Sequence, residues 1–182
     1  TASALTARAT GKFATDGSNL SAQVALPDLS ALGATYGGSA NLSASFDGTP
    51  ENGRLAIDGT ARSLRIGNPA ADRILAGNSA LTARLALRDG AIQVDQASLT
   101  NPQAELSVTG QLEGAIRRLA VNARLANLGL VVPDLQGPLS LTGSANQDAS
   151  GYTVDLAYTG PAAINGTIRG TVEQSLTRAD LA

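Results

Sequence analysis

The sequence contains no histidine, no cysteine, no methionine and no tryptophan among its 182 residues. Its aromatic side chains are confined to Phe13, Tyr36, Phe46, Tyr152 and Tyr158. Without His or Cys, the commonest general base, the thiolate nucleophile and nearly every zinc or iron ligand set are missing. A net charge of −2, from 13 basic and 15 acidic residues, argues against nucleic acid as a partner, which needs a basic surface and often stacking rings. No run approaches the ~20 consecutive apolar residues of a membrane-spanning helix. No basic stretch leads into an apolar core, as a signal peptide would. The expectation is a chain that is not an enzyme, with no catalytic residue, no metal site and no cofactor.

At 43% apolar the chain still has enough hydrophobic material to fold. The dominant signal is alternation with period two. Leu20, Ala22, Val24 and Leu26 alternate with Ser21, Gln23 and Ala25. The same pattern returns at Leu42 to Asp47, Leu81 to Arg88, Glu105 to Thr109, Leu119 to Leu125, Tyr152 to Thr159 and Ile164 to Val172. Successive side chains of a strand point to opposite faces, so each run predicts a strand with one apolar and one wet face. Turn signals separate the runs at Asp47-Gly48, Glu51-Asn52-Gly53, Asp89-Gly90, Asn101-Pro102, Glu113-Gly114 and Ser150-Gly151. Roughly a dozen mostly antiparallel strands are expected. One short helix is predicted from Pro69 to Ala76, capped by Asn68, ended by Gly77, and burying Ile74 and Leu75.

Shifting the sequence by 99 positions lays Gly11 on Gly110, Leu20 on Leu119, Leu29 on Leu128, Gly38 on Gly137 and Leu42 on Leu141. The organisation expected is a single β-rich segment over 1–182 with a weak internal repeat covering 7–59 and 106–158. Such arrays grow by stacking units that bury one another. The start at Thr1 and the strand-like stretch Ser175 to Leu181 predict a piece of a longer repetitive protein.

A sheet with one apolar face must bury that face somewhere. With one candidate helix, three solutions are open: a two-sheet sandwich, a closed barrel, or a sheet curled around an apolar ligand. A sandwich of this size would recruit more large aromatics. About twelve strands at ~4.8 Å spacing make a sheet ~55–60 Å long, enough for a trough holding acyl chains.

Several stretches resemble the TamB family of translocation and assembly proteins, whose texture the AsmA-like and bridge-like lipid transfer proteins share. They are Gly59 to Gly77 with the alternating run Leu81 to Leu87, Asp89 to Gly114, and Leu128 to Gly143. The likeness covers most of the chain and lies in degenerate strand patterns. It implies an all-β fold: a long antiparallel sheet curled into a taco-shaped trough with an apolar inner face. It also implies a location in the periplasm of a Gram-negative bacterium, in a protein anchored in the inner membrane by a segment not present here. The implied work is moving phospholipids between inner and outer membranes, and aiding outer-membrane protein assembly beside a TamA-like barrel partner reached through other parts of the protein.

The groove residues expected on this reading are Leu20, Val24, Leu26, Leu42, Phe46, Leu55, Ile57, Leu81, Leu85, Leu87, Ile92 and Val94 in the first half. In the second half they are Leu106, Val108, Leu112, Leu119, Val121, Leu125, Leu141, Val154, Leu156, Ile164 and Ile168. The partner they imply is the phospholipid acyl chain. The alternative is a structural β-sandwich or adhesin-like surface module with a closed protein core. Lesser signals carry little: Asp16 to Asn19 reads as a plain turn rather than a calcium loop, and Lys12, the one lysine, has no nucleophile elbow beside it. The triplets at Asn19, Asn41 and Asn165 arise by chance in Ser/Thr-rich sequence.

Overall fold

The structure, a computed structural model, describes residues 5–14, 16–112, 117–147, 151–173 and 179–181. The expected turn at Glu113-Gly114, Ser150 of the Ser150-Gly151 turn, and Ser175 to Arg178 lie outside the described residues. The elements run β1 (Thr6–Lys12), β2 (Ser18–Leu26), β3 (Gly37–Gly48), β4 (Gly53–Arg65), α1 (Pro69–Ile74), β5 (Asn78–Arg88) and β6 (Ala91–Thr100). They continue with β7 (Ala104–Gln111), β8 (Arg117–Leu125), β9 (Leu139–Gln147), β10 (Gly151–Thr159), β11 (Asn165–Glu173) and β12 (Ala179–Leu181). Single 3₁₀ turns occupy Leu29–Leu32, Leu128–Leu130 and Pro161–Ala163.

All twelve strands form one antiparallel sheet in sequence order. Each strand pairs with its neighbours in the chain, and among the described residues β1 and β12 do not pair with each other. The sheet is therefore open, and it is neither a barrel nor a sandwich. It is all-β, with one short helix, and curled into a trough. Buried apolar residues are limited to Ala86 and Val94 among the described residues. Burial alternates instead: apolar positions are half-buried and their polar neighbours exposed, as Asn19 to Gln23 shows. With no second layer over the apolar face among the described residues, that alternation comes from curvature toward it.

Contacts between the loops at one rim show the curl directly. α1 lies between β4 and β5, whereas the Leu128–Leu130 turn lies between β8 and β9. On a flat sheet those connections would stand ~19 Å apart, four strand spacings. Here Arg73 Nε donates to the Leu130 carbonyl at 2.9 Å, and Asn101 Nδ2 donates to the Ile74 carbonyl at 3.0 Å. The rim is drawn together across β5–β8. An exposed charge-assisted bond of this kind contributes about 1 kcal/mol. Arg73→Ala is expected to lower the unfolding free energy by that amount, read as a lower urea midpoint at unchanged slope, and to speed hydrogen exchange in α1 with little change in the central strands.

Local sequence explains the elements. Asn68 Oδ1 accepts from the N–H of Ala70 and of Ala71, both at 3.1 Å, and Pro69 opens α1. The helix ends at Ile74 rather than Ala76, and Ile74 and Leu75 are half-buried. Asp89-Gly90 links β5 to β6 with both φ angles positive, 52° and 76°, the geometry of a two-residue type I′ hairpin. Asn101 Oδ1 accepts from the N–H of Gln103 and Ala104 at 2.8 and 2.7 Å, an Asx turn in the hairpin leading to β7.

The two halves repeat in detail. A shift of 99 positions superposes β2 on β8 end to end. Asp28 caps the first 3₁₀ turn by accepting from Ser30 N–H, and Asn127 caps the second by accepting from Gly129 N–H. Hydrogen bonding to Ser30, through its side chain and then its backbone, holds the Asp28 carboxyl below its usual value. This cap therefore stabilises the fold above the unfolded-state carboxyl pKa and is lost as pH falls through the lower folded value. Its counterpart Asn127 does not titrate. The equivalence ends after β10, where a short turn at Pro161–Ala163 replaces the longer α1 connection.

Two bulges interrupt the alternation. In β6, Val94 pairs with Leu85 and Gln96 with Arg84, so Asp95 is an extra residue. In β4, Arg65 pairs with Gly37 and Arg62 with Ser39, so the extra residue falls beside Ser63, at φ 49°. A bulge resets the parity of a strand and sharpens its twist. Deleting Asp95 leaves Ile92, Val94, Ala97 and Leu99 in strict alternation and should cost no more than about 1 kcal/mol. Deleting Thr82 from regular β5 turns one end of that strand inside out and is expected to abolish the cooperative urea transition.

Candidate functional site

Directly opposed residues of an antiparallel pair share a face, so the pairings trace rows across the sheet. One row runs Ala7, Val24, Leu42, Gly59, Leu81, Leu99, Leu106, Ala123, Leu141, Tyr158 and Gly166. The next runs Ala9, Ala22, Ala44, Ile57, Ala83, Ala97, Val108, Val121, Gly143, Leu156 and Ile168. A third runs Gly11, Leu20, Phe46, Leu55, Leu85, Val94, Gly110, Leu119, Ala145, Val154 and Gly170. None of the three rows contains a charged residue.

Most residues expected to line a groove fall in these rows. Leu26 and Leu125 extend the apolar face toward the α1 rim, and Leu87 and Ile92, which pair with each other, extend it toward the opposite one. Two of the expected residues lie outside the strands. Leu112 follows β7, its N–H donating to the Ile92 carbonyl at 2.9 Å, and Ile164 closes the Pro161–Ala163 turn with its side chain 38% exposed. The alternating run read from Ile164 thus begins one residue before β11. Simple alternation misses Leu64 and Leu99, because each follows a bulge that changes the parity. The detectable signal was two adjacent polar residues, Asp95 and Gln96, between apolar pairs of opposite parity.

Near the α1 rim the apolar face deepens into a hollow of about 300 Å³. Ala40, Gly59 and Ala61 leave space there, and Val24, Leu26, Leu42, Leu64, Leu81 and Leu99 surround it. A larger hollow of about 570 Å³ lies on the other face, among Arg8, Gln23, Asn41, Ser43, Asp58, Thr60 and Thr82. A twisted sheet is concave along one diagonal on each face. The lining of the second hollow mixes those hydroxyls, amides and charges with Val24, Ala25, Leu42, Ala80 and Leu81.

The outer face carries the electrostatics. Arg84 Nη2 donates to both Asp58 carboxylate oxygens, at 2.9 and 3.0 Å, and Arg169 Nε donates to Asp155 Oδ2 at 3.2 Å. Asn19 Nδ2 donates to Asp47 at 2.9 Å, and Arg118 Nε to Asn146 Oδ1 at 2.8 Å. These pairs are substantially exposed and contribute a few tenths of a kcal/mol each. Of the stretch Asp16 to Asn19, Asp16 and Gly17 make the turn and Ser18 and Asn19 already belong to β2. The Ser18 hydroxyl ties the turn by accepting from Ala14 N–H at 3.1 Å and donating to Ala14 O at 3.0 Å. Among the described residues no three carboxylates converge as metal ligands would.

No known protein family, characterised protein or solved structure matches this chain.

Proposed function

We propose that this chain is a length of lipid conduit, its curled apolar face shielding phospholipid acyl chains while head groups stay in solvent. One observation carries the reading. The apolar face is unbroken from β1 to β11, is free of charge in its three central rows, and is not covered by any other described part of the chain. An acyl chain leaving a bilayer for water loses about 0.8 kcal/mol per CH₂, and a continuous apolar wall recovers much of that at every point. Alanine, leucine, isoleucine and valine make a wall of low specificity without deep minima, as transport along a path requires.

In this reading the chain works in the periplasm, as part of a protein anchored in the inner membrane elsewhere. It carries phospholipid between inner and outer membranes and aids outer-membrane protein assembly through a TamA-like barrel partner. Those elements come from the resemblance to TamB. The test places a photo-crosslinking residue at Leu106 and, separately, at Ser107, with attached phospholipid read by mass spectrometry in cells. Lipid at Leu106 and none at Ser107 is expected. Equal labelling, or none at either position with the fold retained, would overturn the conduit and leave the structural-module alternative.

A further inference from the structure

Gly59 stands in the first row of the apolar face, in regular pairing between Leu42 of β3 and Leu81 of β5. Glycine weakens a strand interior, and it is used there where the backbone conformation or a close approach requires it. Other glycines of the rows meet such a requirement. Gly11 and Gly110 have positive φ, a Cβ on Gly143 would meet the Asp155 carbonyl oxygen, and Gly166 lies against the Tyr158 ring. Gly59 meets none of these. Its φ is not positive, and a Cβ there would be 3.1 Å from Leu42 Cδ1, the end of a flexible side chain, and 3.4 Å from Leu81 Cβ. What the missing side chain provides is space: Leu42 and Leu81 stay 39% and 38% exposed, and the hollow near the α1 rim opens between them.

In the second repeat the same place is filled. Across the 99-residue shift Gly59 corresponds to Tyr158, Ala40 to Leu139 and Ala61 to Gly160. Tyr158 pairs with Leu141 as Gly59 pairs with Leu42, and Leu139 pairs with Leu125 as Ala40 pairs with Leu26. The Tyr158 hydroxyl oxygen lies 2.8 Å from the point where Gly166 would carry a Cβ, and Leu139 Cδ1 lies 3.5 Å from the same point on Gly160. Two large side chains thus occupy in the second repeat what Ala40 and Gly59 leave open in the first. The hollow is a difference between two otherwise equivalent units, so the curl of the sheet alone does not produce it.

The chemistry of the hollow suits hydrocarbon. No charged residue lines it, and its lining is apolar apart from Asn41, Thr60 and Ser79. Of these, Ser79 Oγ already accepts from Asn101 Nδ2 at 3.4 Å. A cavity of ~150 Å³ walled by such apolar side chains stays dry and takes up benzene. On that scale the hollow of about 300 Å³ has room for roughly a dozen carbons. We propose that Gly59 and Ala40 make this hollow a resting site for one acyl chain of a phospholipid, at the first repeat and not at the second. The inference rests on the conduit reading, and within it Gly59 is the residue that sets where a lipid pauses. A chain seated there covers the exposed flanks of Leu42 and Leu81, a gain in apolar burial that the filled second repeat does not offer.

The test offers the folded chain vesicles of a phosphatidylglycerol that carries a diazirine at the end of one acyl chain, and maps the crosslinks by mass spectrometry. Labelling at Leu42, Leu64 and Leu81 is expected to exceed that at Leu141 and Tyr158 by about tenfold, since two methylenes more in apolar contact already correspond to that ratio. Gly59→Leu fills the hollow and should lower its labelling by about tenfold, while labelling at Val108 and Val121 stays within about twofold. Circular dichroism checks the fold of the variant. Should it fail to fold, Ala40→Leu, which copies the second repeat, gives the same comparison. Even labelling of both repeats, or labelling of the hollow that neither substitution lowers, would overturn the resting site and leave the conduit standing. No label on any of the three rows would overturn the conduit, and the resting site with it.

Discussion

Arginine in place of Leu106 is expected to abolish lipid labelling and transport, while arginine in place of the adjacent Ser107 leaves both within about twofold. Leu106 lies between Leu99 and Ala123 in the first row, whereas Ser107 lies between Ser98 and Asn122 on the other face. An arginine among acyl chains costs about 3 kcal/mol at the centre of a membrane, equivalent to roughly a hundredfold in occupancy. The protein itself should tolerate the change. Leu106 is already 38% exposed and no layer covers it, so the fold should lose no more than about 1 kcal/mol. That separation matters, because in a sandwich the same arginine would be trapped in a closed core and would unfold the domain. Crosslinked lipid read by mass spectrometry, together with a urea melt of each variant, distinguishes the two cases. Equal effects of the two substitutions on lipid would reject the assignment of faces.

The second large effect concerns stability. Gly110→Ala is expected to cost about 3 kcal/mol or more, combining an unfavourable backbone with a side chain that has no space. Gly110 has φ 138°, and its Cβ would lie 2.0 Å from the Arg118 carbonyl oxygen and 2.9 Å from Leu119 Cα. These are backbone atoms of the paired strand, so relief requires β7 and β8 to separate. Gly11 meets the same obstacle at the sheet edge, where β1 can move away, so Gly11→Ala should cost less. Gly90 has a positive φ but nothing within 4 Å, and Gly90→Ala should cost only about 1 kcal/mol. The expected result is a urea midpoint lowest for Gly110→Ala, higher for Gly11→Ala and highest for Gly90→Ala. A Gly110→Ala protein as stable as the parent would show that β7 and β8 do not pair as described.

The lipid substitution and the glycine substitution probe different properties of the same sheet. The first reads what the apolar face contacts. The second reads how the strands beneath it are joined, and its outcome is independent of any ligand. A chain that is stable with Leu106→Arg but loses its lipid would therefore place the defect in the groove surface rather than in the scaffold.

Much of this was legible in the amino-acid order because the strand pleat is local. Side chains alternate between faces every residue, so Leu20, Val24 and Leu26, or Leu119, Val121 and Leu125, declare a common face without knowledge of their partners. Turn chemistry is equally local: Asp89-Gly90 closes its hairpin, and Asn68 with Pro69 starts α1. Where one residue breaks the period, the reading fails. Leu64 and Leu99 were hidden because the bulges beside Ser63 and at Asp95 reverse the parity of their strands, and a bulge is fixed by the strands alongside rather than by the residue itself.

Whether the apolar face is closed or open was beyond the sequence. Alternation is the same in a sandwich, a barrel and a trough, since each needs one apolar face per strand. Pairing strictly between sequence neighbours, with both sheet edges apart, decided for the open sheet. The contact of Arg73 with Leu130 shows the α1 rim drawn together. Both depend on residues distant in the chain, where loop closure and strand twist, not local preference, determine which surfaces meet.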